Sequence, residues 1–533
     1  MNTPTIIPAE KYDISQDSFS PAALEVVSTL QEAGFEAYLV GGCIRDLLLG
    51  RVPKDFDVST SAPPEQVKKT FKNCRVIGRR FRIAHVRIDR ELIEVTTFRA
   101  NPHEKQNASR NELREGEEGQ LIRDNVFGTC DDDAWRRDFS INALYYNPAE
   151  NTILDYMDSV ADIQNGILRS IGDMETRFTE DPVRMLRIIR FSAKFDFPIP
   201  DQATTLIRDK KGLISTVSAP RLFEEVLKLF HGGQAVKSFE LLRQYGLFKL
   251  MFPFTSEYLI DGELSLPEKA LANTDKRIQI GKRVIPAFLF SCLLWDPVRE
   301  DAHRLMDQGN SAAKSWRIAM MDALRDQSQY VSVPRSMADT VIEIWTLHFR
   351  LISRKPNNIV QIMNDRRFRA AYDFMLLRAS LSEIDNDLAD WWTRIQEVEE
   401  EQQQKMIDEL RSSNEEEDGE PNFNSVEYQG NHDQFSHNKA NLGTQRNGYK
   451  KHNGKKVNAK NGRRRNFHRR RKPAKTMQDS NGSYSSNGND GNSVNGNGSK
   501  QAKNRNNKTA RSNPYRSRRK RVNNKSKRED SYF

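Results

Sequence analysis

The sequence predicts an α+β head built on a mixed sheet with helices, then an all-α neck and body, then a basic tail with no core of its own. Three observations carry this. Between Phe35 and Arg99, short runs rich in β-branched residues alternate with brief helical stretches. From about Asp158 to Trp392, apolar residues recur at spacings of three and four, as in PVRMLRIIRFSAKF and PRLFEEVLKLFHGG, which is the helical period. After about Glu400, aliphatic residues nearly vanish.

A chain of 533 residues has room for several domains of roughly 100–200 residues each. The boundaries read as a flexible N-terminus over 1–19, a head over 20–160, a neck over 161–250, a body over 251–400 and a disordered tail over 401–533. The net charge of +10 conceals an asymmetry: residues 431–533 carry a balance of +23, and the first 430 residues one of −13. A basic half joined to an acidic one points to a polyanionic partner for the tail. The tail's 20 asparagines and scarcity of aliphatic residues leave too little apolar surface to offset its ordering entropy. No apolar run is long enough to span a membrane, and the N-terminus has neither the basic nor the apolar stretch of a signal peptide. Cys43, Cys74, Cys130 and Cys292 are widely spaced with no CxxC pair, which argues against a disulfide framework or a zinc site and suits a reducing cytoplasm.

In the head, Ser20 caps a helix that has Pro21 at its first position and stops at Gly34. Phe35–Val40 reads as a strand running into Gly41-Gly42, Cys43–Leu49 as a short helix ended by Gly50, and Asp55–Ser59 as a second strand. A helix over 64–72 and strands over 75–77, 81–88 and 92–99 follow. Residues 101–125 are polar and irregular and read as a mobile loop.

Chemistry concentrates at Asp55-Phe56-Asp57. Alternation on a strand sends Asp55 and Asp57 to one face. Two such carboxylates need a counter-charge, and a pair of Mg²⁺ ions about 3.5–4 Å apart supplies it. Gly41 and Gly42 clear space where backbone must approach a triphosphate, and the N–H groups opening the next helix favour an anion. The run LVGGCIRDLLLGRVPKDFDVST resembles the head motif of the DNA-polymerase-beta-like nucleotidyltransferases, in the branch that holds bacterial poly(A) polymerases and CCA-adding enzymes. The resemblance implies a nucleotidyltransferase head in which Asp55 and Asp57 hold the catalytic metals and Arg45 and Asp46 support the nucleotide pocket.

A second block, RRDFSINALYYN at 136–147, is similar to the same branch. The planar forks of Arg136 and Arg137 suit triphosphate oxygens, and Asn142 suits a sugar or base. Family likeness makes Asp138 the third carboxylate. Glu94, an acid between apolar neighbours in LIEVTTFR, is its rival, and the sequence does not order the two. The segment VIGRRFRIAHVRI at 76–88 resembles the poly(A) polymerase signature more than that of CCA-adding enzymes. It gathers Arg79, Arg80, Arg82 and His85 at a turn and strand, as contact with an RNA backbone requires. In EDPVRMLRIIRF at 180–191, which resembles the base-selecting motif of the branch, Asp181 stands before Pro182 as a natural helix N-cap. Arg184, Arg187 and Arg190 recur along one side of that helix. Adenine offers an N6–H donor beside an N1 acceptor, and Asp181 with Arg184 complements that edge.

The resemblance covers about residues 20–400. It implies a template-independent enzyme that adds AMP from ATP to RNA 3′ ends and releases pyrophosphate, acting in RNA turnover and quality control beside RNA-decay proteins. A CCA-adding tRNA nucleotidyltransferase is the alternative within the branch, and a non-catalytic RNA-binding scaffold the alternative outside it. Most aromatics of the helical body, including Trp391-Trp392, read as core. In the tail, RRRNFHRRRKP at 463–473 and YRSRRKR at 515–521 interleave cations with single rings, which suits sequence-blind RNA binding. A chain lacking 431–533 should therefore bind RNA more weakly and with a shallower dependence on salt. Unchanged affinity and slope in a titration across salt concentrations would remove the tail from RNA binding.

Overall fold

The computed structural model describes residues 3–78, 82–100, 113–115 and 121–415. The strands described are β1 (Thr5–Pro8), β2 (Ala37–Val40), β3 (Asp57–Thr60), β4 (Cys74–Ile77), β5 (Ile83–Ile88), β6 (Glu91–Thr97), β7 (Leu113–Glu115), β8 (Leu121–Asp124), β9 (Leu144–Asn147) and β10 (Thr152–Asp155). β7 and β8 pair with each other, and the rest form one sheet ordered β1-β10-β9-β2-β3-β6-β5-β4. Its neighbours are antiparallel, save that β3 and β6 run parallel.

That parallel joint sets the geometry of the head. Val58 is opposite Val95 and Ser59 opposite Thr96. Val58 and Val95 are buried on the face that packs α1 (Pro21–Glu32) and α3 (Pro64–Thr70). Alternation puts Asp57, Ser59, Glu94 and Thr96 on the other face, where Ser59 and Thr96 hydroxyls bond at 2.9 Å. Further along the sheet this second face carries a smaller cluster of Val40, Phe98 and Tyr145 with Cys130 and Ala134 of α4 (Cys130–Arg136).

The cap at Ser20 is present, its hydroxyl accepting from the Ala23 N–H at 3.4 Å. Gly34 beyond the helix has φ 84°, which glycine adopts freely. α2 (Gly42–Leu48) follows β2. β3 begins only at Asp57, so Asp55 precedes the strand. The flexible N-terminus expected over 1–19 is corrected for the residues described: Thr5–Pro8 pairs with β10, and the Phe19 ring, 4% exposed, stacks on Tyr146 at 4.3 Å. Four residues and one ring carry too little periodicity to be read as an element, and their partners lie about 130 to 150 residues away. The irregular loop expected over 101–125 contains the β7–β8 pair. The tail expected from 401 is likewise corrected at its start, because a helix runs Glu400–Glu415. Met406 and Ile407, both buried, anchor that otherwise polar helix.

The neck comprises α5 (Ser159–Asn165), α6 (Met174–Glu180), α7 (Val183–Phe195), α8 (Asp201–Lys210), α9 (Ala219–Phe230) and α10 (Ala235–Gln244). α7 buries Val183, Met185, Leu186, Ile188 and Ile189 and turns its arginines to the opposite side. One apolar core runs on from the head through this neck into the body. There Trp295, Trp345 and Trp392 are fully buried, and the indoles of Trp345 and Trp392 donate to the carbonyls of Ser291 and Leu351, so these aromatics are core. Replacing Phe19 by Ala should lower the free energy of unfolding by about 3 kcal/mol in denaturant titration. Ile6→Ala, on a side chain 64% exposed, should change it by less than about 0.5 kcal/mol.

Candidate active site

Asp57 and Glu94 occupy matching positions, one residue ahead of the Val58–Val95 pair. Asp55 lies two residues before Asp57, and no cation pairs with it among the described residues. Asp57 is exposed as a residue, and its carboxyl feels the charges of Glu94, Asp55 and Arg137. Burial, followed by the charges of Glu94 and Asp55, raises its pKa to about 6, against the opposing pull of Arg137 and Lys228. His85, directly across from Glu94 on β5, places Nε2 at 3.3 Å from the Glu94 carboxylate. Asp57, Glu94 and His85 thus form a row across β3, β6 and β5.

Arg137 is clamped beside this row. Its Nε donates to the Tyr145 hydroxyl at 2.9 Å, and Nη2 donates to Asp133 at 2.9 Å and to Ser59 at 3.2 Å. Nη1 donates to the Asn142 carbonyl at 3.3 Å. Burial alone would raise the Asp133 pKa, but Arg137 holds it below the usual range. Gly41, with φ 73°, passes so close that an added Cβ would stand 3.2 Å from the Arg137 guanidinium. A side chain there would be strained in backbone and would crowd that arginine. Arg136 points elsewhere: its guanidinium donates to the Ala100 carbonyl.

A second cluster ties head to neck. The Arg187 Nε donates to Asp138 Oδ2 at 2.5 Å, and Asp138 Oδ1 accepts from Asn142 and from the Phe139 N–H, each at 2.9 Å. Burial would raise the Asp138 pKa, but Arg187 and Asn142 outweigh it and hold the carboxyl far below the usual range. Arg45 donates twice to Asp46, at 2.7 and 2.9 Å, and once to the Asn142 side-chain oxygen, while lying over the Phe195 ring at 4.6 Å. Asp46 also receives the Lys194 ammonium of α7 at 2.9 Å. Asp138, Asn142, Arg45 and Asp46 therefore meet one another and α7, whereas Asp57 has Glu94 for its acidic neighbour.

A third cluster lies at the start of α7. Asp181 does not cap the helix, where Pro182 takes the cap position. Instead Arg221 of α9 grips both Asp181 oxygens, at 2.5 and 2.7 Å. Arg184 donates to the Arg177 carbonyl at 3.0 Å and lies 3.5 Å from Glu180. The Arg190 guanidinium rests on the Phe191 ring at 4.6 Å. Of the four residues expected to gather for RNA, Arg79 and Arg80 lie outside the described residues, while Arg82 pairs with Glu65 at 2.5 Å and His85 faces Glu94. Sequence reasoning passed over Arg221, Glu225 and Lys228, although their spacing of four and three puts them on one face of a helix otherwise read for its apolar stripe.

Acids on neighbouring strands beside a clamped arginine, faced by a neck rich in cations, define a nucleotidyltransferase. Three family models match: the poly A polymerase head domain over residues 37–169, the probable RNA and SrmB-binding site of polymerase A over 196–259, and the polymerase A arginine-rich C-terminus over 308–425. Poly(A) polymerase I of Haemophilus influenzae is 44% identical over 76% of this chain and 90% of its own length, and that of Salmonella typhimurium 42% identical over 76% and 89%. A CCA-adding enzyme of Lactobacillus helveticus is 36% identical over 41% of this chain and 52% of its own. The chain belongs to the bacterial poly(A) polymerase family.

Because the Asp57 pKa is raised from 3.8 to about 6, its ionised form costs stability above pH 6, and the cost fades as pH falls toward the ordinary value. Asp57→Asn should therefore raise the Tm of the metal-free protein at pH 8, with a smaller gain at pH 5. A lower Tm at both pH values would contradict the crowding. Asp138→Asn should act in the opposite sense, lowering stability at pH 7 by about 3 kcal/mol because it leaves Arg187 without its charge partner.

Proposed function

We propose that this chain is a template-independent polynucleotide adenylyltransferase: the RNA 3′-hydroxyl attacks the α-phosphorus of ATP and pyrophosphate leaves. The observation that carries the reading is the side-by-side placement of Asp57 and Glu94 across the parallel joint, with Asp55 just ahead of it. Mg²⁺ is usually held by one or two carboxylates, with waters and substrate phosphate completing its shell. Among the described residues no three such side chains are drawn together as a ready cage. We assign Asp55 and Asp57 as the ligands of Mg²⁺ and Glu94, not Asp138, as the third acid, because Glu94 stands beside Asp57 across the β3–β6 joint, whereas Asp138 is paired with Arg187 in the cluster that ties head to neck. When bound, the metal would acidify the attacking hydroxyl and neutralise phosphate charge.

Arg137, oriented by Tyr145, Asp133 and Ser59, is fixed in advance to stabilise charge on the transferring group. For the base, we propose that Asp181 accepts from adenine N6–H while Arg184 donates to N1. A carboxylate has about four lone-pair positions, so the Arg221 grip still leaves acceptor capacity. The same grip, with the anchoring of Arg184 by the Arg177 carbonyl, supports a rigid pair, which cytosine's N3 and O2 acceptors would not match. RNA turnover in the cytoplasm, alongside RNA-decay proteins, is the setting we infer for this activity.

Product analysis with purified protein tests the reading. ATP and Mg²⁺ alone should give long homopolymeric A on unrelated RNAs, and C-C-A confined to tRNA with CTP and ATP would make it a CCA-adding enzyme instead. Asp55→Asn should lower the extension rate by at least about a thousandfold while leaving the circular dichroism spectrum intact. An Asp55→Asn enzyme working at normal speed would refute the metal assignment.

A further inference from the structure

Arg177 of α6 is 9% exposed, and none of the motifs read from the sequence contains it. Its guanidinium reaches from the neck into the head. Nη2 donates to the carbonyl of Arg136 at 2.5 Å and to that of Arg137 at 2.8 Å. These carbonyls close α4, and a helix leaves its last carbonyls without donors of its own. Nη1 pairs with Glu180 Oε2 at 2.8 Å.

The same residue holds the base-reading corner. Its own carbonyl accepts from Arg184 Nη1 at 3.0 Å, and the Glu180 oxygen that it grips lies 3.5 Å from that same nitrogen. Two short routes therefore lead from Arg177 to Arg184, and one hydrogen bond leads to the backbone that carries the Arg137 side chain. A helix cap by itself needs only a donor, which water or a lysine supplies. A planar guanidinium that bridges two carbonyls and a carboxylate fixes direction as well as distance. What it fixes here is the place of Arg137 relative to Arg184.

We propose that Arg177 is a positioning residue that couples base selection to phosphoryl transfer. It holds the backbone of Arg137 against the corner that seats Arg184, so a base that fits poorly also displaces the arginine at the reacting phosphate. The inference rests on the nucleotidyltransfer reading and deepens it, because recognition of the base then acts on the chemical step as well as on affinity.

The test uses the full chain, first shown to extend RNA with ATP and Mg²⁺. Arg177→Lys keeps a positive charge beside Glu180 but loses the planar fork. On one RNA primer, kcat and KM are measured with ATP and with CTP for the wild type and the variant. The kcat with ATP should fall about tenfold, and the preference for ATP over CTP, taken as the ratio of their kcat/KM values, should fall about tenfold with it. Unfolded protein lowers both rates alike and cancels from that ratio, so a purely structural role leaves it unmoved. A ratio within about twofold of the wild type overturns the proposal, whatever happens to the Tm. So does a ratio that falls while kcat with ATP holds, because selection and chemistry would then be separate.

A second measurement needs no variant and decides the matter if Arg177→Lys does not fold. ATP and CTP carry the same triphosphate, so without coupling they should slow amide exchange at the end of α4 equally. Coupling predicts that saturating ATP–Mg²⁺ slows hydrogen–deuterium exchange over residues 134–138 at least about threefold more than saturating CTP–Mg²⁺ does. Equal protection by the two nucleotides overturns the proposal. If the wild type fails to extend RNA at all, it is the functional reading that falls, and the exchange comparison then judges the coupling alone.

Discussion

Like charge packed against like charge is the constraint around which the head is built. The parallel β3–β6 joint puts Asp57 next to Glu94, and the loop before β3 adds Asp55. Burial, and after it the charges of Glu94 and Asp55, push the Asp57 pKa up, so the ionised row raises the free energy of the unliganded chain. The remainder of the sheet holds the row in place. Val58 and Val95, buried on the reverse face, fix which side the acids take, because a slip of one residue would bury the carboxylates instead. The fold thus supplies apolar burial that offsets a local repulsion, which a bound cation would relieve.

Arg137, beside this row, is held by four acceptors. A guanidinium fixed in this way suits charge that develops in one place. The Asp138–Arg187 pair joins the head to α7 through a buried carboxylate and a half-buried guanidinium. A buried pair of this kind contributes little net stability over an apolar contact, but breaking it is costly. Its contribution is to registration: it fixes the helix that carries Arg184 against the loop that carries Asn142.

Much of the head was legible because its signals are local. Ser20-Pro21, Gly34 and the Gly41-Gly42 turn each act within a few residues, and α1, β2 and α2 fall where those signals put them. Asp55, Asp57 and Arg137 were likewise marked by dense local motifs. What escaped depended on distant partners. β1 has meaning only against β10. The proposed preference for Glu94 over Asp138 draws on strand register and on Arg187, some fifty residues beyond Asp138. Asp181 carried an N-cap pattern that a bidentate grip from Arg221 overrode, since two charged hydrogen bonds outweigh one cap bond. The α9 stripe was hidden for a different reason: its apolar residues give a strong helical period, and a polar stripe on such a helix ordinarily reads as a solvated face.

The division of labour between head and neck follows from these contacts. With no template strand to present a complementary base, discrimination between adenine and cytosine rests on whether the reading groups hold still, because a mobile carboxylate or guanidinium can rotate to meet either edge. On the proposed reading, Arg221, Glu180 and the Arg177 carbonyl immobilise that pair from the neck, and Arg177 in turn donates to the carbonyls of Arg136 and Arg137 in the head. Arg184, which would read the base, is therefore two hydrogen bonds from the backbone of Arg137, the arginine proposed to face the reacting phosphate. A shift of the neck that spoiled base reading would also displace Arg137, so selection and chemistry share one mechanical frame.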